Sequence, residues 1–121
     1  MTPTEIVQRQ LEAYNARDLE AFAATYSDDI RIFRMPATEA AIVGKEQLRE
    51  VYRARFASKG LHADIVNRIV IGSKVIDHER VVGIEKNPLE AVAVYDVQGG
   101  LISTVWFFYA DKPFPIPRGN G

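Results

Sequence analysis

Lys74-Val75-Ile76-Asp77-His78-Glu79-Arg80-Val81-Val82-Gly83 is a strand pattern whose two faces both carry charge. Read at period two, Ile76, His78, Arg80 and Val82 share one side, while Val75, Asp77, Glu79 and Val81 share the other. One side therefore offers a basic pair and the other an acidic pair. Buried charge is costly unless it is paired or put to chemical use, so the side that faces the interior sets the character of any pocket.

Working outward from this stretch, everything after Gly60 reads as strands. Leu61 to Ile71 alternates with Ala63, Ile65, Asn67, Ile69 and Ile71 on one face, and Gly72-Ser73 supplies a hairpin turn into the charged strand. Asn87-Pro88 turns the chain into Ala91 to Val97, and Gln98-Gly99-Gly100 turns it again into Leu101 to Tyr109. The last two strands are apolar on both faces: Ala91, Ala93 and Tyr95 with Thr104, Trp106 and Phe108, and Val92 and Val94 with Val105, Phe107 and Tyr109. A sheet with one wet face alternates more cleanly. The helices are spent on one face, so the pattern predicts a homodimer packed through the convex face at Val92, Val94, Val105 and Phe107.

The first half carries the helices. Thr2, Pro3 and Glu5 form an N-terminal signature with a capping box, opening a helix to Ala16 whose apolar stripe is Ile6, Val7, Leu11 and Tyr14. Asp18 caps a second helix from Leu19 to about Tyr26, and Ile30 to Arg34 is a strand halted by Met35-Pro36. A short strand near Ala40 to Val43 follows. Then Lys45 to about Ser58 forms a helix with Leu48, Val51, Tyr52 and Phe56 on one stripe, closed by Gly60. The tail Pro113-Phe114-Pro115-Ile116-Pro117 cannot pair in a ladder and is expected to be extended.

The chain has 121 residues, which suits a single domain: a core over about 3–110 and a Pro-rich tail over 111–121. The net charge of −1 gives no electrostatic argument for nucleic acid or an anionic membrane. With no cysteine there is no thiolate chemistry, and two histidines make a dedicated metal site an unpromising reading, so no cofactor is expected. No signal peptide or apolar run of membrane-spanning length is present, and a cytoplasmic protein is expected.

The order helix, helix, two short strands, helix, strands carries a resemblance, together with Val7-Gln8-Arg9, Tyr14-Asn15-Ala16-Arg17-Asp18-Leu19, Ser27-Asp28-Asp29, Gly44 with Leu48, and Gly99-Gly100-Leu101-Ile102 before Val105-Trp106-Phe107. The chain resembles the nuclear transport factor 2-like superfamily, which includes SnoaL-like polyketide cyclases and ketosteroid isomerases. The resemblance implies an α+β fold: a cone-shaped half-barrel, with a curved, mostly antiparallel sheet wrapped around three helices and enclosing an internal pocket. Ketosteroid isomerases use an Asp base and an oxyanion hole of Tyr and protonated Asp. By the implied register those slots fall on Arg34, Gln10 and Ala93, so that mechanism is not retained.

The same register places Ile76, His78, Arg80 and Val82 on the concave face. It implies a basic pocket, with His78, Arg80 and Arg34 as catalytic candidates, and Tyr14, Tyr26, Tyr52, Asn67, Tyr95, Trp106 and Phe108 as substrate-binding candidates. Glu39 is the most plausible internal acid. A guanidinium holds a carboxylate or enolate in two-pronged fashion, and a histidine titrates near neutrality. Two function classes remain open: a cofactor-independent isomerase- or cyclase-like enzyme acting on a polar or anionic carbonyl compound, and a non-catalytic small-ligand-binding or dimerisation domain.

Overall fold

The structure is a computed structural model and describes residues 1–110; the expected extended tail lies outside the described residues. Helix α1 (Pro3–Ala16) starts at the anticipated capping box: Thr2 Oγ1 accepts from the Glu5 amide at 3.1 Å, and Glu5 Oε1 accepts from the Thr2 amide at 2.8 Å. Asp18 Oδ1 accepts from the Ala21 amide and caps α2 (Leu19–Ala23). This helix stops short of Tyr26, where strand β1 (Tyr26–Arg34) begins. The reason is tertiary. The Thr25 carbonyl accepts from the Ile102 amide and Tyr26 pairs with Ile102, so the sheet claims residues that local pattern assigned to the helix.

Strand β2 (Ile42–Val43) leads into α3 (Lys45–Arg55), which ends at Phe56 rather than near Gly60. Phe56 joins a ring cluster in which Phe22 lies 5.2 Å from it, 4.7 Å from Tyr52 and 5.0 Å from Tyr26, centroid to centroid. Tilted and edge-on ring pairs of this kind contribute about 0.5–1.5 kcal/mol each beyond their buried area. They fasten both helices to the start of β1.

Strands β3 (His62–Ile71), β4 (Lys74–Val82), β5 (Leu89–Gln98) and β6 (Leu101–Tyr109) complete one six-stranded sheet in the order β2-β1-β6-β5-β4-β3. It is antiparallel except for β1 against β6, and together with the three helices it forms the curved, unclosed α+β cone. Just beyond β4, Gly83 has φ +92°, and a Cβ there would stand 2.5 Å from backbone atoms of Gly60 and Leu61. Only glycine fits this crossing, and the Ser58 hydroxyl donates to its carbonyl at 2.7 Å.

Two irregularities set which side chains face the helices. Between Ile65 and Asn67 the β3 register shifts, so Ile65 pairs with Glu79 but Asn67 pairs with His78. Arg68, not Asn67, is thereby carried to the concave face. Between Asp96 and Val97 a second shift skips Ser103 and pairs Tyr95 with Val105, where an unbroken hairpin would pair it with Thr104. Phe107 therefore lies opposite Ala93 inside the cone, while Trp106 and Phe108 lie opposite Val94 and Val92 on the other face.

Candidate functional site

The charged strand takes the opposite phase to the one implied by the resemblance. Val75, Asp77, Glu79 and Val81 are buried, whereas His78 is half-buried and Arg80 is exposed. The expectation that His78 and Arg80 line the pocket is thus corrected. His78 Nε2 lies 2.7 Å from Glu90 Oε1 on the outer face, and Asn67, Trp106 and Phe108 share that face. Glu39 is exposed and is not the internal acid.

The physical cause of this phase is partnership across strands. Arg68 grips Asp77 with both prongs of its guanidinium, Nε to Oδ1 at 2.6 Å and Nη2 to Oδ2 at 2.9 Å, while Nη1 donates to Gln8 Oε1 on α1 at 2.9 Å. Asp77 is 1% exposed, and a carboxylate so deep requires a fork of this kind. Glu79 receives one hydrogen bond, from the Tyr95 hydroxyl at 2.9 Å. His78 and Arg80 have no comparable set of inward partners.

Glu79 is the chemical centre of the cone. Burial raises its carboxyl from the ordinary range to about 7, with the Asp77 charge adding to the rise and the Tyr95 hydroxyl and Arg68 opposing it. Around it Gln10 and Tyr14 from α1 and Tyr52 and Arg55 from α3 bound a cavity of about 20 Å³, measured to the centre of a water-sized sphere. That is room for about one water. Leu11 and Phe107 are the lining side chains that are not buried, so the lining comes nearest to solvent at these two.

The remaining candidates face the interior. Tyr14, Tyr26, Tyr52 and Tyr95 are buried, and burial pushes each phenol up, which leaves them neutral hydrogen-bond donors across the physiological range. Arg34 lies on the concave side of β1 opposite Phe107. Arg55 is buried with its guanidinium 5.6 Å from the centre of the Tyr52 ring. Among the described residues, no group of three His, Asp or Glu side chains is placed to hold a metal ion, and no helix is long and apolar enough to cross a membrane.

Glu79, Arg55 and Gln10 are the site residues that sequence reasoning missed. For Glu79 the signal was present, since the competing phase of the strand was legible and Tyr95 already pointed inward. Arg55 sits at the end of a helix stripe whose apolar members drew attention away from it.

Comparison with known proteins agrees with this architecture. An uncharacterised cystatin-fold protein from Novosphingobium aromaticivorans superposes with a TM-score of 0.81 at 28% identity, covering 88% of this chain and 97% of that one. An NTF2-like protein of unknown function from Cytophaga hutchinsonii gives 0.78 at 12% identity over 91% of each chain. An LEH-like epoxide hydrolase from M. tuberculosis gives 0.77 at 17% identity, covering 89% of this chain and 82% of that one. No functionally curated protein matches the sequence. The SnoaL-like domain family matches residues 7–105, so the chain, with its open cone of six strands over three helices, belongs to that family.

Proposed function

We propose that this chain is a cofactor-independent acid–base enzyme, isomerase- or cyclase-like, acting on a small polar or anionic carbonyl compound, with Glu79 as the proton-transfer group. One observation carries the reading: a carboxyl without a cation of its own, buried among aromatic side chains and raised to about 7, oriented by a single phenol. A base or acid poised near the working pH is present in both protonation states and can take and return a proton in one cycle. The Tyr95 bond holds the carboxyl in one orientation. Glu79 removes a proton from the carbon beside a carbonyl, and the carbonyl oxygen, taking up the negative charge, is stabilised by the Tyr14 hydroxyl and Arg55.

Proton exchange tests this without knowledge of the substrate. Small cyclic ketones and keto acids incubated with the protein in heavy water should acquire deuterium beside the carbonyl, at a rate that rises through about pH 7. Exchange indifferent to Glu79 would leave the ligand-binding reading as the better one. A 5-ene-3-ketosteroid should be isomerised at no more than a trace rate, as followed by ultraviolet absorbance of the conjugated product. In the register that the resemblance implies, Gln10, Arg34 and Ala93 fall in the slots of that mechanism's Tyr, base and protonated Asp, and none of the three can take over the role.

We further read the outer face of the sheet as the contact of a homodimer. Val94, Trp106 and Ile76 meet there across three strands, with Phe108 at 45% and Ile69 at 53% exposure beside them. The patch keeps Val92 and Val94 from the sequence expectation; Val105 and Phe107, which face the interior, are replaced by Trp106 and Phe108. Sedimentation at micromolar concentration should give a dimer, and Val94→Arg should give a folded monomer. A monomeric parent protein would refute this contact.

A further inference from the structure

We infer that the cone carries an anion subsite centred on Arg34, and that the ligand approaching Glu79 is an organic carboxylate. This rests on the proton-transfer reading and narrows its substrate class. Arg34 faces inward from the last position of β1, directly across from Phe107, one of the two cavity-lining side chains that reach solvent. Its Nε is buried and has no hydrogen-bond partner, and no carboxylate of the described residues forms an ion pair with it. A buried donor on a permanent cation is costly to leave unmet, so the site is built for an acceptor that arrives from outside.

The surroundings select the charge of that acceptor. Arg34 and Arg55 both act on the Tyr52 and Tyr109 phenols, opposing the rise that burial causes in each. The Arg34 guanidinium also meets the Tyr109 hydroxyl, yet its Nε remains an unmet donor on a permanent cation, and a carboxylate offers acceptor oxygens only. The acids inside the cone do not compete for this place: Asp77 is gripped by Arg68, and Glu79 is held by Tyr95. A ligand whose carboxylate rests on Arg34 extends past Phe107 toward Glu79.

Acetate, hexanoate and benzoate serve as probes, with benzamide as the neutral counterpart of benzoate, at fixed ionic strength and pH 6, below the titration of Glu79. Calorimetry should find a carboxylate that binds while benzamide does not. Arg34→Met should weaken it by roughly tenfold to a hundredfold, the span expected for hydrogen bonds to a charged group, whereas Arg80→Met on the outer face should leave it unchanged. Benzamide binding as well as benzoate, no carboxylate binding below 10 mM in roughly the range of weak sites, or an unaffected Arg34→Met would each overturn the subsite. These failures are separable from failure of the proton-transfer reading. Glu79-dependent exchange of neutral ketones would survive the loss of the subsite, and Arg34-dependent binding of an acid would survive the loss of the exchange.

Discussion

Replacing Glu79 by Gln should lower deuterium exchange into a carbonyl substrate by about 10²- to 10⁴-fold, the usual contribution of a positioned proton-transfer group. Glutamine keeps the shape of the side chain and can still accept the Tyr95 hydrogen bond, so packing is preserved while the titrating group is lost. The same variant makes a second, substrate-free statement. Glu79 has a folded value of about 7 against an ordinary value of 4.5, so the folded state holds its proton more tightly than the unfolded chain does. Stability from this group is therefore full below about pH 4.5, declines as the pH rises through the interval to about 7, and is flat above it. The loss is about 3 kcal/mol over that window. Urea denaturation of parent and Glu79→Gln proteins at pH 4 and pH 8 isolates it as the change in their stability difference, moving toward the variant at the higher pH. An unchanged difference would mean that Glu79 titrates as an ordinary surface acid, and the site would lose its centre.

Much of the fold was legible because local chemistry and tertiary structure agree. The Thr2-Glu5 box, the Asp18 cap, the Gly72-Ser73 turn and the Gly99-Gly100 turn are encoded in neighbouring residues, and each forms as read. The site was less legible because it depends on strand phase, and here pattern is nearly silent. Ile76 and Val82 flank the basic pair as apolar residues just as Val75 and Val81 flank the acidic pair. What separates the two faces is a partner on another strand. The two-residue turn pairs Ile71 with Lys74, and counting outward from it places Arg68 opposite Asp77, so this fork was within reach of the sequence. The bulges were not. Nothing local at Val66 or Ser103 announces an extra residue, and each reverses the faces of what lies beyond it. Trp106 and Phe108 moved outward for that reason, and Phe107 moved in.

The fork also bears the largest single load on stability among the polar contacts. Arg68→Met removes both prongs from a carboxylate that is 1% exposed and leaves Asp77 without its cation in a low-dielectric interior. Breaking a buried ion pair at one partner costs about 3–5 kcal/mol, far above the 0–1 kcal/mol of an exposed pair such as Arg49 with Glu46, whose acid is almost fully exposed. The double variant Arg68→Met with Asp77→Leu should recover most of that loss, because apolar residues of similar volume replace the pair without stranding a charge. Equilibrium urea denaturation of the two single variants and the double variant gives the coupling directly. If the double variant is no more stable than Arg68→Met, the loss comes from the methylene packing of Arg68 against α1 rather than from the charge of Asp77. The acidic phase of β4 would then owe nothing to the fork.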